Sequence, residues 1–474
     1  RVTDPSVTGT DGTDPSLTRA NRTRRHPPVL ITDLEHVVTC ADDGAILAYA
    51  SILVEDGVIT GLGARTDLEP RAETIGATRL DGRRHLALPG LVNLHTHTPM
   101  ALLRGIAEDV DLQGFLTRVW AAEGAVMDPA TVELGARLGA LEALVGGTTT
   151  ALDMYFHHAR AHDGARALGL RHVIGPVFFD GLGPDGLSWD QRLDGLASWR
   201  DRVTGDVAAG APVIPLTVMP HSTYTNTPAH LGQLRQAVGE LGYTALTTHV
   251  SENEAENLDV VTRYGRTPTQ VLADVGILDG GLRVTFGHGV HLTEPDRALA
   301  VAADVTVAHC PGSNAKLASG ALSWLSMRTS GIRLGIGTDG CSSSNDLDMW
   351  QAMRQAALLA RQTAGDPTVA PALEVLRAAT IEGARALGLG DVIGSLEVGK
   401  RADIVLLDLD APHLTPVHDV PALLVFAAGR SDVTTVLVDG EVVVQDRRST
   451  RVEAAELLAA ARDRAQAAAK AAAE

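Results

Sequence analysis

Cysteine is scarce in this chain of 474 residues: Cys40, Cys310 and Cys341 are the whole complement, at no metal-like spacing. That excludes a disulfide framework and a cysteine-rich zinc site, and it points to a reducing, cytoplasmic setting. Lysine is scarcer than the length would suggest, with Lys316, Lys400 and Lys470 as the only three. No apolar run reaches the ~18 residues a membrane span needs, and the polar N-terminal stretch has no signal-like apolar core. Positive charge is also short, with 40 basic against 58 acidic side chains and a formal charge of −18. Such a surface repels phosphate backbones, so neither nucleic acid nor a membrane is an expected partner.

What is present is ordinary for a large soluble protein: 45% apolar and 21% charged residues. The length exceeds one small domain and suits a barrel-sized domain with a smaller companion. Residues 1–27 carry no apolar period and read as a disordered arm. The run 48–63 is apolar on both sides of Asp56-Gly57, and 434–446 repeats the pattern around Asp439-Gly440; both are hairpin signals. With further strand expected over 394–409, residues 28–87 and 394–450 form one composite β domain, a small β-sandwich built from both chain ends. Between them, 88–393 alternates short apolar runs with Ala/Leu/Arg-rich stretches. Strand–helix alternation of this kind gives an α/β architecture with parallel βα units. About eight of them suit a (β/α)8 TIM-like barrel, although a doubly wound sheet would alternate in the same way. The Ala-rich 451–474 is expected to be a surface helix or tail.

Polar residue placement selects the barrel. Strand candidates end in side chains able to bind metal or move protons: His95 and His97 in "LHTH", His249 and Glu252 in "THVSE", His288 and His291 in "GHGVH", and Asp339 in "GTDG". Strand C-terminal ends are where such a barrel builds its site. Two histidines at i and i+2 share one side of a strand. Imidazole nitrogen and carboxylate oxygen suit a borderline-soft divalent ion, with a coordination position left for water.

These residues sit in the segments "LPGLVNLHTHTPMALLRG" (88–105), "GGTTTALDMYF" (146–156), "PHSTY" (220–224), "FGHGVHL" (286–292), "AHCPGSNAKLASG" (308–320), "LGIGTDG" (334–340) and "GSLEVGKRADIVLLDL" (394–409). From about 29 to 450 the chain resembles the amidohydrolase superfamily, and within it the branch that deaminates S-adenosylhomocysteine and 5′-methylthioadenosine. The resemblance implies His95, His97, His249 and Asp339 as ligands of a divalent ion, zinc ahead of iron(II) or manganese(II). It implies Glu252 as the acid that protonates a purine ring nitrogen. His288 and Asp339 take the proton of the attacking water, and His221 contacts substrate. Dinuclear relatives bridge two ions with a carboxylated lysine on a middle strand; with no lysine before Lys316, one ion is expected here.

The same resemblance places Glu123 near the ribose hydroxyls and offers Arg192 as a second arginine for an amino-acid carboxylate. Where relatives place the first such arginine, this chain has Pro176. An unpaired buried carboxylate is costly, so neutral nucleosides (adenosine, 5′-deoxyadenosine, 5′-methylthioadenosine) are expected ahead of S-adenosylhomocysteine. Arg104 is read as loop support, His157, His158, His291 and His309 as structural, Cys341 as non-nucleophilic, and Asn314 and Lys316 as part of a loop near the site. The expected function is a metal-dependent hydrolytic deaminase of aminopurine nucleosides acting as a homo-oligomer. The alternatives are a pterin, guanine or triazine aminohydrolase, a dehalogenating relative, or a barrel that has become a scaffold.

Overall fold

Strand-forming runs from both ends of the chain meet in one sheet. The computed structural model describes residues 26–473, with side chains as far as Lys470; all but the last two residues of the arm expected over 1–27 lie outside the described residues. The N-terminal strands are β1 (Val29–Val38), β2 (Ile46–Glu55), β3 (Val58–Gly63), β4 (Thr78–Asp81) and β5 (His85–Pro89). The middle holds β6 (Leu91–Thr96), β7 (Thr148–Asp153), β8 (Arg171–Val173), β9 (Val177–Phe178) and β10 (Thr217–Pro220). It continues with β11 (Ala245–Val250), β12 (Arg283–His288), β13 (Thr306–His309) and β14 (Arg333–Ile336). The last are β15 (Ile404–Asp408), β16 (Val433–Val438), β17 (Glu441–Gln445) and β18 (Arg448–Ser449).

The composite sheet has nine strands in the order β18-β17-β16-β15-β5-β1-β2-β3, with β4 beside β1. It is one continuous hydrogen-bonded sheet. Both expected hairpins form, with Asp56, Gly57, Asp439 and Gly440 all at positive φ, as a tight two-residue turn between twisted strands requires. The strand expected over 394–409 shortens to β15. Gly394 and Gly399 take φ of 91° and 100°, which breaks the extended run before Ile404.

The middle strands pair in parallel and in chain order: β6-β7-β8 in one sheet and β9 through β14 in another. Helices intervene between most of them, and the strands are buried nearly throughout, as parallel sheets covered by helices must be. β8 and β9 are two halves of one run, parted by Ile174-Gly175-Pro176. A Cβ on Gly175 would lie 1.8 Å from the Thr217 carbonyl oxygen, so only glycine permits this approach. Pro176 has no N–H to give, but its carbonyl accepts from Met219 N–H at 3.0 Å.

The C-terminal helix Ala454–Ala473 packs on the helices Leu112–Val126 and Pro129–Val145. It buries Leu457, Ala461 and Ala468, and Arg464 reaches Asp128 Oδ2 at 2.5 Å.

A buried charge cluster joins the composite sheet to β8. The Arg171 side chain is fully enclosed and meets Asp403 Oδ1 at 3.1 Å and Asp439 Oδ1 at 3.3 Å, while Arg401 Nε meets Asp439 Oδ1 at 2.5 Å. Removing one member of a buried ion pair strands its partner's charge away from water. Arg171→Met should therefore cost about 3–5 kcal/mol of folding stability. Urea unfolding of the variant beside the parent measures this, and a loss within about 1 kcal/mol, the range of an exposed pair, would reject the clamp.

Candidate metal centre and active site

The site assembles where β6, β10, β11, β12 and β14 end. His95 lies within β6 and His97 just past it, where a 3-10 turn begins at Thr98. Asp339 follows β14 by three residues, and its N–H donates to the His95 carbonyl at 2.9 Å. Three glycines allow that approach. A Cβ on Gly335 would lie 2.4 Å from Leu94 Cδ2, on Gly337 2.9 Å from the His95 carbonyl oxygen, and on Gly340 2.7 Å from Met100 Sδ. Asp339 and His288 take φ of 62° and 69°, and Ser251, beside Glu252, takes 52°. Such left-handed conformations are uncommon outside glycine and concentrate at functional turns.

Asp339 is divided in its loyalties. Oδ1 faces His97 Nε2 at 3.1 Å and His95 Nε2 at 3.5 Å. Oδ2 accepts from the hydroxyls of Ser313 and Ser343, each at 2.7 Å. Burial alone would raise its pKa, but the contacts with His95 and His97 and the charges of His97 and His288 outweigh it and hold the carboxylate well below its usual range. Burial likewise opposes a charge on His97, yet Asp339 and the Met154 carbonyl push its pKa up to about 9. A carboxylate that favours a proton there favours a divalent cation for the same electrostatic reason.

The histidine tautomers suit metal binding. His97 Nδ1 lies 2.6 Å from the Met154 carbonyl and His249 Nδ1 lies 2.8 Å from the His221 carbonyl. A carbonyl can only accept, so each Nδ1 carries a hydrogen and Nε2 is the ring nitrogen left to face a metal ion. His95 is fully buried with neither ring nitrogen in a hydrogen bond. His95, His97 and His249 form one possible ligand trio and His95, His288 and Asp339 another, with ligand atoms within 4.8 Å of one another in each. An orphaned buried imidazole beside two more imidazoles with Nε2 turned toward it, and a carboxylate, fits a divalent ion.

Glu252 and His288 complete the chemistry. Their side chains approach at 3.8 Å, Nε2 to Oε2, and both are buried. Burial, reinforced by the charges of Asp339 and Glu256, pushes the Glu252 pKa well above the usual carboxylate range. Burial pulls His288 down to about 3. One site thus holds a carboxyl whose surroundings favour its protonated form and an imidazole whose surroundings favour its neutral form. Asn314 Nδ2 stands 3.0 Å from His288 Nδ1 and orients the ring.

The groups border a cavity of about 60 Å3. His221 lines it, its ring 4.7 Å from that of His249 and stacked on Phe179 at 5.0 Å. Glu123 and Arg192 do not line it. Glu123 is buried behind the wall, accepts from the Tyr155 hydroxyl at 2.7 Å, and is pushed up to about 7 by burial. Arg192 is spent on Asp185, with nitrogen–oxygen distances of 2.8 and 2.5 Å, and lies over the Phe179 ring. Lys316 donates to Glu108 and Asn345, and Arg104 pairs with Glu142, both at the rim. His158 packs edge-on against Trp199, His291 lies against the Ser319 carbonyl, and burial pushes the Cys341 thiol up.

Several supporting residues escaped the sequence reading. Asp153 ends β7, accepts from Thr98 N–H at 3.0 Å and meets His172 Nε2 at 2.7 Å, pinning the turn after His97. The strand-end rule that singled out the histidines would have found it. Asn93 and Thr338 clasp each other through Nδ2 to Oγ1 at 2.7 Å and Thr338 N–H to Oδ1 at 3.1 Å; no local pattern marks a pair so far apart in sequence.

Comparison with known proteins follows the geometry. The chain is similar to a 5-methylthioadenosine/S-adenosylhomocysteine deaminase of Desulforudis audaxviator, at 42% identity over 80% of this chain and 85% of that one. It is 36% identical to a 5′-deoxyadenosine deaminase of Methanosarcina mazei, over 87% of this chain and 92% of the relative. A crystal structure of a Xanthomonas campestris adenosine deaminase with bound zinc superposes with a TM-score of 0.87 at 36% identity, covering 93% of this chain and 98% of the other. With the amidohydrolase family model matching residues 86–443, the chain belongs to the amidohydrolase family.

Proposed function

We propose that the protein is a hydrolytic deaminase of adenosine-type nucleosides, giving the inosine-type product and ammonia. The observation that carries this reading is the placing of Glu252, a buried carboxyl 3.8 Å from His288 beside the His/Asp cluster, where burial favours its protonated form. Displacing an amine from a purine needs a proton delivered to the adjacent ring nitrogen, and burial favours the proton-bearing form of this group. The similarity to deaminases acting on 5-methylthioadenosine and 5′-deoxyadenosine supports the substrate class.

In this reading His95, His97, His249 and Asp339 hold one divalent ion, zinc in preference to iron or manganese. When bound, the ion acidifies water and favours charge development at the reacting carbon. Glu252 protonates the ring nitrogen, so negative charge does not build up there. Asp339 and His288 take one proton of the water and pass it to the departing amine, which leaves as ammonia, while the second water proton leaves the oxygen as the carbonyl forms and restores the acid on Glu252. His221 borders the base, with Phe179 and Arg192 stacked behind it, and Glu123 lies outside the cavity with its carboxylate on Tyr155. A closed eight-stranded barrel, taking 171–178 as one strand, suits the seam where Asp339 and Thr338 meet His95 and Asn93. Residues 88–393 then form the catalytic domain, with 28–87 and 394–450 as its β companion.

Glu252→Gln keeps the shape of the side chain and loses its acidic proton. Ammonia release should fall by about 10²–10⁴-fold with metal content unchanged; retention of more than a tenth of parental kcat would reject the acid role. Metal analysis of the purified protein should return one ion per chain, and His95→Ala should bring that to a small fraction. Two ions per chain in the parent would refute the single-ion reading.

A further inference from the structure

One wall of the cavity has been given no task above. The helix Leu112–Val126, begun by the Asp111 side chain accepting from Gly114 N–H at 2.9 Å, turns Leu112, Phe115, Leu116, Val119 and Trp120 into the cavity. That spacing of i, i+3, i+4, i+7 and i+8 is the stripe a helix normally buries in a core. Here it borders a space, and Trp120 remains 40% exposed, its ring 6.3 Å from that of His221. Leu317 adds to the same apolar surface from the segment after β13.

The opposite side carries the chemistry: the histidines, Asp339 and Glu252. A substrate with its amine-bearing carbon among those groups must extend its far end toward the helix. Among the described residues, no lysine or arginine lines the cavity. Arg192 is engaged with Asp185, Lys316 with Glu108 and Arg104 with Glu142, and Arg118 on the helix itself donates to the Glu108 carbonyl at 3.0 Å. A carboxylate entering this end would have no cation to meet, and an unpaired charge set against Leu, Phe and Trp is strongly disfavoured.

We infer that the stripe Leu112–Trp120 is the wall that selects the 5′ substituent, admitting small uncharged apolar groups and rejecting a zwitterionic amino-acid arm. This rests on the deaminase reading and adds the class of nucleoside the site prefers. Trp120 is the specificity-determining residue at the cavity mouth. Apolar contact there strengthens binding in proportion to the area removed from water, so it acts on KM more than on kcat.

The test is ammonia release by the metal-loaded full chain with adenosine, 5′-methylthioadenosine and S-adenosylhomocysteine. The parent should show kcat/KM for 5′-methylthioadenosine at least ~10-fold above that for S-adenosylhomocysteine. Trp120→Arg places a cation at a half-exposed position where it can stay hydrated, and should shrink that ratio at least ~10-fold. Trp120→Ala should lower the preference for 5′-methylthioadenosine over adenosine through a raised KM. Equal parental turnover of the two 5′-thio nucleosides, or a ratio that Trp120→Arg leaves in place, would overturn the wall while adenosine turnover keeps the deaminase reading intact. If no adenosine-type nucleoside reacts, the deaminase reading falls and takes this inference with it.

Discussion

The site depends on how closely the segment after β14 approaches β6. One backbone hydrogen bond, Asp339 N–H to the His95 carbonyl, sets the register of that approach. The segment is glycine at alternate positions, Gly335 and Gly337, and again at Gly340; a methyl group at any of them would strike Leu94, His95 or Met100. The left-handed turn at Asp339 then carries its carboxylate to His97 and His95. Without the glycines the strand ends would stand apart, and the three groups could not share one small space. Asn93, Thr338 and the two serines on Oδ2 hold in place what the glycines permit.

Burial does the second part of the work, and it acts with opposite sign on acids and bases. The same exclusion of water that keeps a proton on Glu252 removes one from His288. Two neighbouring groups are thereby biased as donor and acceptor, with Asn314 holding the His288 ring. Asp339 escapes the trend because it faces imidazoles and accepts from two hydroxyls, so it stays ionised in equally dry surroundings. Three carboxyls illustrate the range: Asp339 held well below the usual carboxylate range, Glu252 pushed well above it, and Glu123 pushed up to about 7 by burial despite the Tyr155 hydroxyl.

The legible part of the molecule was the part written in local pattern. His95 and His97 share a strand, Asp56-Gly57 and Asp439-Gly440 mark turns, and strand ends carry the other polar groups, so period and punctuation sufficed to propose them. The amidohydrolase resemblance supplied the roles. What stayed hidden depends on pairs distant in sequence. Arg171 meets Asp403 and Asp439 only after the two ends of the chain have joined one sheet, and Asn93 meets Thr338 across the whole middle of the chain. The helix Leu112–Val126 has an apolar stripe that reads as core, and only the fold shows that part of it faces a cavity. The Ala-rich C-terminal segment looks featureless as sequence, yet it packs along the back of that same helix.

Arg192 shows why a role does not travel with a residue type. As sequence it is an arginine in reach of a carboxylate; in the fold it already has one, Asp185, gripped by both terminal nitrogens. An arginine so committed cannot also bind a substrate carboxylate unless Asp185 lets go, and both partners are buried, so release would leave a charge unpaired in dry surroundings. The Phe179 ring lies between its guanidinium and His221, which lines the cavity. The transferable signal for a binding cation is a guanidinium or ammonium left without a partner at a cavity wall. Among the described residues this cavity has none, and its selectivity must come from the apolar surface that is there.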